Sequence, residues 1–250
     1  MSYFYTPESA WEIPVSLRKT YTEEHIQYIL GLFSRVANCN VYMFDYEKQK
    51  FISSNIHKYS VSGLSNELIK KEGADAYNYI LSDSEKQWLF KMNEEAFKIF
   101  RKYRDLELAT ELELSYDLTG KNMYDREVTL HHRLVPYQFD DNGNLWLAFC
   151  IVSALPLTQK NTKACIECDK TGERYDFVNG KFVLSDYKPL TRIEIAILGY
   201  FADGLILKQI SEKVGMSLRS VEHKKKALLE KLGAPTQAAA VYKAMNMGLI

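Results

Sequence analysis

The chain has 250 residues, 46% of them apolar and 26% charged, an ordinary globular composition that excludes a disordered or fibrous protein. Thirty-two basic residues balance 32 acidic ones, so total charge by itself names no partner. The longest nearly unbroken apolar run, residues 145–157, contains Ser153 and Pro156 and falls short of the ~20 residues a membrane helix needs. Four irregularly spaced cysteines do not make a disulfide scaffold, and no basic-then-apolar leader opens the chain. A reducing cytoplasm is therefore the expected compartment.

Residues 1–23 carry aromatics, Pro7 and Pro14 without a repeat, which predicts an irregular arm. Thr22-Glu23-Glu24 opens a helix whose apolar stripe is Ile26, Ile29, Leu30, Phe33 and Val36. Residues 40–45 and 50–54 read as a strand pair turning through Glu47-Lys48-Gln49. After a loosely helical stretch, Trp88, Met92, Ala96, Ile99 and Tyr103 repeat at three and four, predicting a long helix over 84–104. Three alternating strands follow. In 106–116, Leu106, Leu108, Leu112 and Leu114 oppose Glu107, Glu111 and Glu113. In 126–139, Val128, Leu130, His132 and Leu134 share a face, with His131 outward. Asn142-Gly143 signals a hairpin, and 145–154 is apolar on both faces. Such a strand must be covered twice: by the domain's own helices, and by the N-terminal helix, another domain or a second subunit.

This succession over residues 24–156 resembles a PAS domain, most of all in Ile80-Leu81-Ser82-Asp83-Ser84-Glu85 at the start of the long helix and in the hairpin at 141–143. The His and Pro of the His-Pro-x-Asp segment usual there are absent. The resemblance implies an antiparallel five-stranded sheet serving as a ligand, cofactor or partner sensor. Tyr42, Phe44, His132 and Phe149, with Trp146, are the candidate pocket residues. Core packing explains the aromatics equally well, a lone His on an apolar face is more often a hydrogen-bonded core residue than a ligand group, and no cofactor is specified. Residues 163–184 read as a three-stranded meander within a linker at 157–188. Cys165 and Cys168 fall on opposite faces of a strand and lack a second ligand pair, so no metal is expected.

From residue 190 onward nine basic residues face five acidic ones, a local charge of +4. Thr191 with Glu194 forms a capping box for a helix over 192–202, lined by Ile193, Ile197, Leu198 and Phe201. A short helix over 208–214 ends at Gly215. Ser217 caps a third helix reaching about residue 232, closed by Gly233. A fourth, 236–247, presents Ala238, Val241, Tyr242 and Met245. Two helices joined by a short Gly-containing turn make a helix-turn-helix. On the third helix Val221, Leu228 and Leu232 cluster opposite Arg219, His223, Lys226 and Glu230, with Glu222 at the flank. That rod, about 22 Å long, can lie in a major groove ~12 Å wide. Lys224, Lys225 and Lys226 supply attraction to phosphate, although Lys225 projects near the apolar side and must snorkel.

These 61 residues resemble the LuxR-type helix-turn-helix family through Leu190-Thr191, Glu194, Ile197-Leu198, Gly204-Leu205, Ile210, Ser217, Ser220-Val221, Leu228, Lys231-Leu232-Gly233, Ala240 and Gly248-Leu249-Ile250. The resemblance implies base reading at Glu222, His223 and Lys226, with Ser217, Arg219, Ser220 and Lys225 near phosphates. Ile193, Ala196, Ile206 and Glu222 depart from the family's usual Arg, Glu, Ser and Lys. No nucleophile elbow, zinc-protease pair, phosphate loop or dinucleotide fingerprint is present, so no enzyme is expected.

The expected fold is thus α+β: a PAS-like five-stranded antiparallel sheet with helices (24–156), a β linker (157–188) and an all-α four-helix LuxR-type head (189–250). The expected function is a sequence-specific transcription regulator that binds double-stranded DNA as a homodimer under control of a small-molecule or protein signal. Val241, Tyr242 and Met245, and the doubly apolar strand, are the candidate dimer surfaces. The alternative is a protein–protein signalling adaptor that keeps the helical tail without DNA affinity.

Overall fold

The computed structural model describes residues 10–33, 39–52, 64–121, 124–156, 163–185, 189–246 and 249–250. The chain divides into two compact units, Met1–Ser185 and Asp186–Ile250. Among the described residues no helix is long and apolar enough to cross a membrane. Val36, the end of the second predicted strand (53–54), Met247 and Gly248 lie outside the described residues.

In the first unit helices α1 (Val15–Thr20) and α2 (Glu23–Phe33) precede strands β1 (Asn40–Asp45) and β2 (Lys50–Ile52). A short α3 (Asn66–Glu72) and a 3-10 turn (Gly73–Tyr79) lead into the long α4 (Asp83–Asp105). Strands β3 (Leu112–Lys121), β4 (Glu127–Phe139), β5 (Leu145–Pro156), β6 (Ala164–Cys168), β7 (Arg174–Val178) and β8 (Lys181–Leu184) follow. Ser82 caps α4 in a reciprocal box with Glu85, satisfying two of the end groups a helix leaves open. One side of α4 (Leu89, Met92, Ala96, Phe97, Phe100) packs on the sheet with Phe44, Leu114, Leu130 and Ile166 to make the main core.

All pairings are antiparallel, in the order β2-β1-β5-β4-β3-β6-β7-β8. The five expected strands are neighbours, but among the described residues the sheet has eight strands rather than five. The meander expected as a linker continues the sheet, because the free edge of β3 pairs with β6 from Leu112↔Cys168 to Tyr116↔Ala164. A bare strand edge is a row of unpaired donors and acceptors, and β6 satisfies it. Alternation then turns Ala164, Ile166 and Cys168 into the main core. Trp88 on Phe177, and the Tyr103 hydroxyl donating to Glu173, fasten the meander to α4.

Three further expectations change. Residues 106–111 are not strand: α4 runs to Asp105, Glu107 takes a left-handed φ of 58°, and Leu106 is exposed instead of sharing a face with Leu112. The arm is not irregular over its described part. Trp11 donates to the Leu145 carbonyl, Glu12 N–H to Asp140 at 2.8 Å, and Arg18 pairs with Glu47. With Ile26 and Leu30 of α2, this segment covers the second apolar face of β5, so that strand is not a free surface for a second subunit. Strict alternation also fails at residues 145–148. Leu145 and Ala148 join the main core while Trp146 and Leu147 face α2. The cause is a double irregularity in which Tyr137 and Trp146 are each the extra residue between paired positions. Beside it, Gly143 turns the hairpin at φ 80°, and an added Cβ would sit 2.1 Å from the Arg104 guanidinium.

Ile166 separates an integral strand from a linker. Ile166→Ala should lower stability in urea unfolding by about 2–5 kcal/mol, the cost of a core cavity. A linker position would change it by no more than ~0.5 kcal/mol.

Candidate nucleic-acid interface

The second unit holds α5 (Arg192–Ala202), α6 (Leu207–Val214), α7 (Leu218–Lys231) and α8 (Gln237–Asn246). Thr191 and Glu194 cap α5 reciprocally, as the sequence predicts. Glu194 is buried, and Lys231 at the end of α7 reaches its carboxylate at 2.7 Å and the Pro189 carbonyl at 3.3 Å. Burial works against this carboxylate's charge, but the bonds from Lys231 and Thr191 outweigh it and hold its pKa below the ordinary range. This polar tie fastens the entry of α5 to the exit of α7.

Ile206 supplies no capping side chain to α6. Gln209 compensates by accepting from the Ile206 N–H at 3.0 Å. Gly215 takes the left-handed conformation (φ 65°) that ends α6, and Ser217 caps α7 by accepting from the Ser220 N–H at 3.2 Å. Val221 and Leu228 are wholly buried with Ile197, Leu198, Phe201 and Ile210, while Ala240 and Ala244 bring α8 into the same core.

Because that side of α7 is fixed inward, the opposite side faces out. Arg219, Glu222, His223, Lys226 and Glu230 are exposed, with Lys226 Nζ 4.0 Å from Glu230. Ser217 is exposed and Ser220 half-buried, their hydroxyls 2.8 Å apart. Lys224 is half-buried and lines a shallow concavity with Met216, Arg219, Ser220, His223 and Ala227. Lys225 is also half-buried, its ammonium 5.6 Å from the centroid of the Phe201 ring. Of the candidate dimer residues, Tyr242 and Met245 are exposed along α8 and Val241 is half-buried.

Among family models, the one describing bacterial regulatory proteins of the luxR family matches residues 188–244. Residues 188–244 are a LuxR-type helix-turn-helix domain. In that domain α6 and α7 are the paired helices, and the outer side of α7 is free of the core. No curated protein matches the chain. Along nearly the whole chain, the solved structures it is similar to include a phage VqmA–DPO complex, with 16% identity, 94% of this chain and 92% of that chain covered, and a TM-score of 0.34. They also include the Vibrio cholerae VqmA dimer without target DNA, at 13% identity, 89% and 88% coverage and TM-score 0.26. The Vibrio cholera VqmA–ligand–DNA complex aligns at 15% identity, 89% and 87% coverage and TM-score 0.26.

The candidate pocket residues of the first unit divide. Tyr42, Phe44 and His132 face the main core, whereas Phe149 lies on the opposite face of the sheet near Phe33. The register decides this, since Met43 pairs with Phe149 and both turn toward α2. His132 stacks on Tyr116 at 4.7 Å, shares a 2.8 Å hydrogen bond with the Tyr77 hydroxyl, and lies 3.1 Å from the Leu130 carbonyl through Nδ1. Tyr77 carried no sequence signal for this, because only the 3-10 turn brings it over β4. His131, on the outer face, pairs with Asp117 at 2.7 Å. Cys168 enters the core while Cys165, on the other face, lies 3.1 Å from Ser115 and has its thiol pushed up to about 11 by burial. The two cysteines cannot share a ligand.

Burial lowers the pKa of His132 to about 4 from 6.5. The unfolded chain thus takes a proton that the folded core refuses, and the contribution is complete above pH 6.5 and lost as pH falls toward 4. Stability should decline by about 3 kcal/mol across that window in urea titrations. His132→Gln should flatten the decline. The carboxylate of Glu194 acts at more acid pH, its contribution vanishing as pH drops through its depressed value, and Glu194→Gln should remove that acid-side step in a thermal melt of the chain.

Proposed function

We propose that the chain is a cytoplasmic, sequence-specific transcription regulator that binds duplex DNA as a homodimer. The observation that carries this reading is the outer side of α7. Arg219, His223 and Lys226 project together from a helix whose other side is locked in a core. A helix so held can enter the major groove with its first turns against base edges, and its cations draw the phosphates. Glu222, His223 and Lys226 are assigned to bases, and Ser217, Arg219, Ser220 and Lys224 to the backbone. A carboxylate such as Glu222 accepts from a cytosine amino group but repels phosphate, so it narrows the choice of site. Two heads would pair through Tyr242, Met245 and Val241 of α8 and engage half-sites about 34 Å apart.

The first unit is assigned the role of a PAS-like sensor. A signal there, a small molecule or a protein, shifts the population of dimers whose heads can bind together. Support comes from the five neighbouring strands β2-β1-β5-β4-β3 under α4 and from the polar cluster of Tyr42, Tyr77 and His132 within that core. Mass spectrometry and absorbance of the purified protein test this assignment by showing whether a small molecule travels with it.

Exposed Glu222 on the outer side of α7 favours a second reading, a protein–protein adaptor. Gel shifts with random duplex at graded salt decide between the two. Salt-sensitive binding at low ionic strength is expected, and its absence selects the adaptor. Lys226→Met should weaken binding to a selected site by about 1–3 kcal/mol while sparing random duplex. Uniform weakening, with the salt slope reduced by about one unit, would reassign Lys226 to phosphate.

A further inference from the structure

Two consecutive aromatic residues of α5 each carry a lysine from a different helix. Lys213 of α6 has its Nζ 5.7 Å from the Tyr200 ring centroid, and Lys225 of α7 has its Nζ 5.6 Å from that of Phe201. Successive residues on a helix point about 100° apart. Tyr200 can therefore address α6 while Phe201 addresses α7. An ammonium within ~6 Å of a ring face is drawn to its quadrupole, and the pull strengthens as the pair loses water. Phe201 belongs to the buried core with Val221 and Leu228, so the contact with Lys225 is anchored at the ring end.

We infer that Tyr200 and Phe201 form a bracket that fixes the two helices of the helix-turn-helix against α5, and that Lys225 is a positioning residue for α7, not a phosphate contact. The inference rests on the DNA-binding reading above. It assigns the three consecutive lysines three roles. The Lys226 side chain is 78% exposed, within 4.0 Å of Glu230, on the outer side. Lys224 lines the concavity beside Arg219 and His223. Lys225 is half-buried and turns back toward the apolar side, its ammonium over the Phe201 ring. Base readout demands side chains held to within about 0.5 Å and 10–20°. A contact that stops α7 from rolling about its own axis therefore acts on the choice of sequence more than on attraction to DNA.

The test uses the full chain, a duplex selected from a random pool, and a random duplex, each across a range of salt. Lys225→Met should lower the ratio of selected to random affinity about three- to fivefold, the worth of one cation–π contact, with an unchanged salt slope. Lys225→Arg, which also stacks on aromatic rings, should restore the ratio. A salt slope reduced by about one unit, as for a phosphate-contacting lysine, overturns the inference, and so does an unchanged ratio in Lys225→Met. Apart from DNA, a double-mutant cycle of Lys225→Met with Phe201→Leu should show coupling in thermal unfolding, and additive effects overturn the bracket. If the unaltered chain shows no salt-sensitive binding while the cycle does couple, the DNA-binding reading fails and the bracket stands as a structural contact without the positioning role.

Discussion

A helix buried along one side must show the other side to its surroundings, and α7 is bound to that rule by Val221 and Leu228. Both side chains are fully enclosed by α5, α6 and α8. Their burial fixes the roll of the helix, and the roll decides that Arg219, His223 and Lys226 face outward together. The tie from Lys231 to Glu194 adds a polar constraint at the far end of the helix. A buried carboxylate without its lysine would be a heavily penalised charge, so the pair specifies an arrangement as well as contributing stability. The small core therefore works as a mount: its apolar residues choose an orientation for residues that do not belong to it.

The first unit applies the same logic to a sheet. β5 is buried on both faces, and each face has its own cover: α4 and the 3-10 turn on one side, the N-terminal segment with α2 on the other. The double irregularity at Tyr137 and Trp146 re-aims side chains so that Trp146 and Leu147 both reach the α2 side. On the other side of β4, the β6–β8 meander extends the sheet and is tied to α4 through Phe177 and Glu173. Its last strand ends at Leu184, just before the second unit begins, so the stretch expected as a linker is itself part of the first unit's sheet.

Within that sheet, His132 shows how a polar group is kept in an apolar layer. The imidazole meets Tyr77 and the Leu130 carbonyl, and lies flat against Tyr116. A neutral ring with both nitrogens engaged costs little to bury, whereas a protonated one would cost much. The core therefore selects the uncharged form, and acid acts on the fold through that selection.

The sequence by itself determined what depends on near neighbours. The caps at Thr191 and Ser217, the turn at Gly215 and the stripe of α7 are settled within one or two helical turns, where hydrogen bonding and 3.6-residue periodicity act directly. On α4 the expected Met92, Ala96 and Tyr103 are buried, but Trp88 and Ile99 are half-buried and Leu89, Phe97 and Phe100 complete the inner face. Alternation likewise placed Leu112 and Leu114 in the core and Cys165 opposite Cys168. Only the tertiary structure decided what depends on which element comes to lie beside which. The pairing of β6 with β3, the N-terminal cover on β5, the placing of Phe149 away from Tyr42 and Phe44, and the settling of Lys225 on Phe201 each join residues distant in sequence or set by a neighbouring strand's register. Periodicity tells a side chain which way to point, and it is packing that supplies what stands there to meet it.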